Sequence, residues 1–340
     1  MKTLLSLQYL RALAALSVVL FHAFERRDLG GFDVGQMGVD VFFVLSGLVM
    51  WLISDRTDRS PAQFLVERIA RVAPIYWLAT IAVLVLWAVG IRQGLDHPDL
   101  WHTVKSFLFI PVEYPGKDKI YPLLIPGWTL NYEMFFYAIF ALSLVGGRRV
   151  RLALTTVSIV GLVAVGAVLK PTDAVLATYT SPIMLEFLAG IWIGVVWTEV
   201  KGADGLSSAV MSIAGLLLIP ALAWAWPDGP RIVVFGIPAL LIVAGAALYE
   251  RRHPVVKLRW FLLLGDASYS IYLWHFPSNS IWDAIAQAAH MPTWLAICFI
   301  SVGGVVTGVA AYLLVERPIR NWIRMRTRRK TASVVIAESA

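Results

Sequence analysis

Charge is what this 340-residue chain has least of: 15% of its residues are Asp, Glu, Lys or Arg, against 59% hydrophobic, and the mean hydropathy is +0.72. Soluble domains carry about 25% charged and about 45–50% apolar residues, so this balance excludes an ordinary water-soluble globule. Long polar stretches are missing as well, which leaves no room for a separate soluble catalytic domain. The single cysteine, Cys298, lies inside an apolar run. It can form no intrachain disulfide and supply no multi-thiolate metal site, and no metal is expected. Also absent are Gly-x-Ser-x-Gly, a Walker phosphate loop, a dinucleotide glycine fingerprint and His-Glu-x-x-His. No internal repeat marks the inverted halves of many secondary transporters. The first apolar stretch has no small-x-small cleavage site and is expected to stay in the mature chain.

What is present is a succession of apolar segments close to the about 20 residues that cross a bilayer. Their spacing predicts ten helices, at 4–24, 36–54, 72–90, 123–145, 152–169, 180–198, 206–226, 231–249, 261–281 and 294–314. The expected fold is therefore all-α: a polytopic integral membrane protein with about ten transmembrane helices and no separate soluble domain. That domain covers 1–322, and a basic cytoplasmic tail over 323–340 is expected to be disordered. Basic residues gather on the cytoplasmic side of membrane proteins. With both termini inside, 20 Lys and Arg fall on the inner side and 8 on the outer, so cytoplasmic termini are expected. The formal charge of +7 then reads as contact with the lipid bilayer and not with nucleic acid. The segment from Ile91 to Pro122 is too long for a tight turn and reads as an outer lid or interfacial element. Leu45-Ser46-Gly47 and Val302-Gly303-Gly304 read as sites of close helix packing.

Ionisable residues inside the spans are few: Arg11, His22, Asp40, Glu133, Glu186, Asp266 and His275. A charge at the bilayer centre costs about 2.5–3.5 kcal/mol on insertion scales, so such groups pair or line a cavity. Arg11 and His22 are eleven residues apart, which returns to within about 20° of one helix face over about 16 Å. Asp40, Glu133 and His275 are expected with His22 in the outer half. Arg68 and Arg71, one turn apart, are expected at the inner surface. His275 reads equally as part of an interfacial aromatic belt with Tyr269, Tyr272 and Trp274. Asp40 and Glu133 read equally as counter-ions of arginines, and Glu186 and Asp266 lie toward helix ends.

These residues fall in recognisable strings. Leu10-Arg11-Ala12 through Leu20-Phe21-His22, then Gly38-Val39-Asp40-Val41-Phe42-Phe43-Val44-Leu45-Ser46-Gly47, resemble the acyltransferase 3 family of bacterial membrane O-acyltransferases. Arg68-Ile69-Ala70-Arg71 with Pro74, Pro126-Gly127-Trp128-Thr129-Leu130 with Glu133, Ser268-Tyr269-Ser270-Ile271-Tyr272-Leu273 with His275, and Glu316-Arg317-Pro318 keep the family's order. The compact form resembles most the exopolysaccharide-acetylating branch. The resemblance implies transfer of an acyl group, usually acetyl from cytoplasmic acetyl-CoA, to a hydroxyl of a surface glycan or its lipid-linked precursor. Acyl-CoA would be a substrate, with no cofactor bound permanently, and the site a bacterial inner membrane where glycan-synthesis machinery is a further partner. Arg11 and His22 would be catalytic with Asp40 and Glu133, Arg68 and Arg71 would bind the donor, and Trp128, Tyr272 and His275 would contact substrate. In this scheme His22 accepts the hydroxyl proton or forms an acyl-histidine, and Asp40 or Glu133 fixes its tautomer. The rival reading is a proton-coupled transporter or flippase of a lipid-linked saccharide, in which the same groups relay protons. A scaffold for glycan synthases gives no reason for Arg11 and His22 on one face.

Overall fold

The structure, a computed structural model, describes residues 4–27, 29, 32–54, 59–91, 99–116, 119–199, 204–323 and 325. Long helices occupy all ten expected positions: α1 Leu5–Arg26, α2 Met37–Ser54, α3 Pro61–Ala88, α5 Trp128–Ser143, α6 Arg148–Leu169, α8 Met184–Glu199, α9 Gly205–Ala225, α10 Ile237–Arg252, α11 Arg259–Ala288 and α12 Thr293–Ala311. Two short helices, α4 Leu100–Phe107 and α7 Ala174–Tyr179, lie between them. Among the described residues eight spans are long and apolar enough to cross a membrane by length and composition; α5 and α11 are not among them. The protein is an all-α, polytopic membrane protein. Of the expected tail, residues 324 and 326–340 lie outside the described residues, as do Lys2, Arg56, Arg92, Lys117 and Lys201 from the charge count.

α3 starts eleven residues before the expected 72, and this changes where its arginines lie. Ser60 accepts from the Gln63 backbone amide while the Gln63 side chain accepts from the Ser60 amide, and Pro61 fills the first helical position. This reciprocal cap satisfies two otherwise orphaned donors and starts the helix in polar sequence, where hydropathy gives no signal. Arg68 and Arg71 therefore sit about 10 and 15 Å along a helix.

α2 is the most buried helix, enclosed by α1, α8 and α10. Glycines set its approach to α8: a Cβ on Gly47 would meet the Phe187 carbonyl, and one on Gly190 the Val44 carbonyl, at 1.9 and 2.0 Å. Gly303 likewise lies against the Trp282 ring. The glycine stretches thus serve backbone contact, as small residues do between membrane helices. α6 and α9 turn most of their surface outward.

α1 and α11 run parallel. Gly265 abuts the Gln8 backbone, Arg11 meets Ser268, His22 meets His275 and Arg26 meets Asp283, in order from one end to the other. Of the segment expected to be an outer lid or interfacial element, 92–98 and 117–118 lie outside the described residues, and the rest carries α4, which packs on α3. Tyr76 and Trp77 donate to the carbonyls of Ser106 and Phe107 at 2.9 and 2.8 Å, and the Leu123 amide donates to the Ser106 hydroxyl at 3.0 Å. Leu100 and Trp101 stay exposed on its other side, as on an interfacial helix.

Candidate active site

Three guanidinium groups converge on one cavity. Arg11 from α1 and Arg68 and Arg71 from α3 line an internal space of about 90 Å³, walled also by Phe42, Ser46, Thr129, Glu133, Tyr137, Tyr269 and Tyr272. Arg68 is buried, and its guanidinium lies 5.6 Å over the Phe64 ring. The two α3 arginines thus share one partly open cavity with Arg11. Arg11 donates to the Ser268 hydroxyl at 3.2 Å. Glu133 is the one acidic residue among the described lining residues. One oxygen of its carboxylate accepts from Tyr137 at 2.5 Å and from Ser46 at 3.2 Å, which fixes it against the wall. Three cations facing one anion give the cavity a positive field, strengthened where water is excluded.

His22 does not line this cavity. It sits toward the far end of α1, its side chain 17% exposed, and its Nδ1 lies 2.9 Å from a Glu25 carboxylate oxygen. Its ring stacks on His275 at 5.3 Å between centroids and meets the edge of Phe276 at 5.8 Å. His275 is fully buried, with Nδ1 3.1 Å from the Ile271 carbonyl. Since a carbonyl only accepts, that nitrogen carries the hydrogen. The His275 ring lies 6.2 Å from Tyr272, a residue of the cavity wall. Tyr272 donates to the Pro126 carbonyl at 2.9 Å and shares a hydrogen bond with Thr129 at 3.0 Å. From the arginine cavity to His22 the sequence of contacts is therefore Tyr272, then His275, then His22.

Asp40 belongs to a different cluster. It is fully buried and takes a two-pronged bond from Arg231, at 2.7 and 3.1 Å, while Arg231 also donates to the carbonyl and side chain of Gln36. The Arg231 guanidinium lies 5.7 Å over Trp128 and 5.5 Å over Phe235. Trp128 is thus a wall of the Asp40 cluster, not of the cavity. Glu186 is buried beside it. The carboxylate that faces His22 is consequently neither Asp40 nor Glu133, the two expected to set its tautomer, but Glu25. Asp266 lies outside both groups.

A family model described as an acyltransferase domain matches residues 4–314. The chain belongs to the acyltransferase 3 family. It is 39% identical to the exopolysaccharide production protein ExoZ of Rhizobium meliloti (strain 1021), over 93% of this chain and 98% of that protein. It is 26% identical to the peptidoglycan O-acetyltransferase OatA of Listeria monocytogenes and 24% identical to the O-acetyltransferase OatA of Staphylococcus aureus, over 93% and 92% of this chain. It spans just over half of those two relatives, 55% and 56% of their lengths. No solved structure matches. The arginine cavity and the paired histidines are two chemically distinct places within one helix bundle.

Several participants were not singled out from sequence. Ser46 and Tyr137 hold Glu133, Glu25 faces His22, and Arg231 neutralises Asp40. Glu25 had a signal, since it lies three residues after His22 on a helix, where side chains meet. Arg231 had none, being 191 residues from Asp40.

Proposed function

We propose that this chain transfers an acyl group, acetyl in the simplest case, from cytoplasmic acyl-CoA to a hydroxyl of a surface polysaccharide or its lipid-linked precursor. It does so from a bacterial inner membrane with both termini in the cytoplasm. The observation that carries the reading is the convergence of Arg11, Arg68 and Arg71 on one cavity, linked through Tyr272 and His275 to a mostly buried histidine. Guanidinium groups suit the thioester oxygen of the donor, where negative charge develops as the acyl group is attacked. A cavity of about 90 Å³ takes the reacting end of a thioester and not the nucleotide, since whole drug-sized ligands need about 300–1,000 Å³. The nucleotide stays on the cytoplasmic side, and the wall at Tyr272 and His275 must part for the acyl group to meet its acceptor. The acceptor oxygen then forms its bond to the acyl carbon while the carbon–sulfur bond breaks. The hydroxyl proton passes to His22 Nε2 and from there to the departing thiolate, giving free CoA. A base so placed contributes about 10²–10⁴-fold.

The direct experiment supplies acetyl-CoA and the glycan acceptor to membranes containing the protein and measures acceptor-dependent release of the CoA thiol. Absence of release, with the protein inserted and abundant, overturns the reading. Replacing Arg68 or Arg71 with Ala is expected to weaken acyl-CoA binding about tenfold or more, the loss of one charge-assisted bond of about 1.5–3 kcal/mol. Isothermal titration of the purified variants checks this, and unchanged affinity removes the donor role.

Sidedness is tested at the turn after α6, where Thr172 is exposed. Thr172→Cys, in a Cys298→Ala background, is expected to react with an impermeant thiol reagent from the periplasmic side. Ala23, although close to His22, is buried against Ile297 and Ile300 and would report nothing. Labelling of the Thr172 variant from the cytoplasm alone reverses the assigned direction of transfer.

A further inference from the structure

The last turn of α1 holds more charge than any other turn of that helix, and its partners are sorted. Asp283 on α11 takes both neighbouring arginines: Arg26 at 3.3 Å and Arg27 at 2.8 Å. Arg26 also donates to Ser280 at 2.9 Å, and Gln287 donates to Asp283 at 2.9 Å. The Glu25 carboxylate lies one turn from His22 with an oxygen 2.9 Å from Nδ1. An ionised carboxylate only accepts, so Nδ1 carries the hydrogen and the neutral ring presents its lone pair at Nε2. His275 and Phe276 fix the ring from the side of α11, by a stack inclined at 28° and an edge contact at 82°. Phe21 packs against it from α1 at 4.9 Å. The ring plane is set by aromatic contacts and its tautomer by one carboxylate.

We infer that Glu25 is the positioning residue of the transfer site: it holds the proton on His22 Nδ1 so that Nε2 faces the acceptor hydroxyl. The inference rests on the proposed role of His22 as base. When Nε2 takes the hydroxyl proton, the ring becomes an imidazolium, and the carboxylate at Nδ1 stabilises that charge until the proton passes to the CoA thiolate. Glu25 touches neither substrate, and its own proton count does not change. Its side chain is 60% exposed. An exposed helical pair stabilises a helix by only about 0.2–0.5 kcal/mol, so a purely structural role predicts no loss of activity on truncation.

The test uses the full-length protein in membranes, with Glu25→Ala, Glu25→Gln and His22→Ala alone, and Glu25→Ala combined with His22→Ala. Acyl-CoA affinity and acceptor-dependent turnover are measured for each. Glu25→Ala is expected to lower kcat about 10–100-fold with the acyl-CoA affinity unchanged, because the arginine cavity is untouched. Glu25→Gln keeps an acceptor for the Nδ1 hydrogen without the charge and is expected to recover part of the loss. The double variant is expected to be no slower than His22→Ala alone, the non-additivity of two residues acting as one unit. Wild-type kcat in Glu25→Ala overturns the inference, as does a further loss in the double variant. Wild-type turnover in His22→Ala overturns the role of His22 itself and is read separately.

Discussion

Cells carrying His22→Ala are expected to lose glycan acylation while the protein stays inserted and abundant. The loss should be at least about 10²–10⁴-fold, the contribution of a positioned general base. The structure makes this variant informative because the ring keeps some exposure and contacts chiefly other rings. The variant removes three ring contacts worth about 0.5–1.5 kcal/mol each, less than the about 5–15 kcal/mol that holds a native fold. His22→Phe sharpens the result, since it keeps the stack on His275 and has no base. Acylation is measured by mass spectrometry of the glycan, with protein level followed in the same membranes. Near-normal acylation in either variant removes His22 from the chemistry.

Arg231→Met is expected to produce the largest loss of stability of any single charge removal in the described residues, about 3–5 kcal/mol. Asp40 is fully buried and draws two bonds from Arg231, with the Glu186 carboxyl close by, so the variant strands negative charge in an apolar setting. It also frees Gln36 and so loosens the turn before α2 from the start of α10. Adding Asp40→Asn to Arg231→Met should restore much of the loss, because the uncompensated charge goes with the partner. Tm of the detergent-purified proteins, single and double, checks this. A single variant that melts with the wild type would mean that the pair does not clamp α2 to α10.

The ten helix positions were legible because bilayer thickness imposes a length, and an apolar run of that length has one reading. Where helix and apolar run diverge, the legibility failed. α3 begins in polar sequence at a capping box, and α11 continues to Ala288 through Pro277 with Ser278, Asn279 and Asp283 turned inward. The common face of Arg11 and His22 was legible from their spacing, but a shared face does not state what each end looks into. Arg11 faces the cavity, whereas His22 is screened from it by His275 and Tyr272. Pairings made by tertiary packing leave no local pattern, so a counter-ion reading of Asp40 was open from sequence but its partner, Arg231, was not. Glu25 did leave a pattern, obscured by Arg26 and Arg27 beside it.

The parallel register of α1 and α11 couples the two halves of the site through length alone. Arg11 to Ser268 and Arg26 to Asp283 span the same separation in the chain, 257 residues. One residue inserted between Arg11 and His22 would leave the Arg11 contact in place and turn everything beyond it by about 100°, carrying the His22 ring off His275 and Arg26 away from Asp283. An equal insertion in α11 between Ser268 and His275 would bring the faces back together. The two helices are in effect a matched pair of rulers, and the spacing from Arg11 to His22 is written twice in the chain.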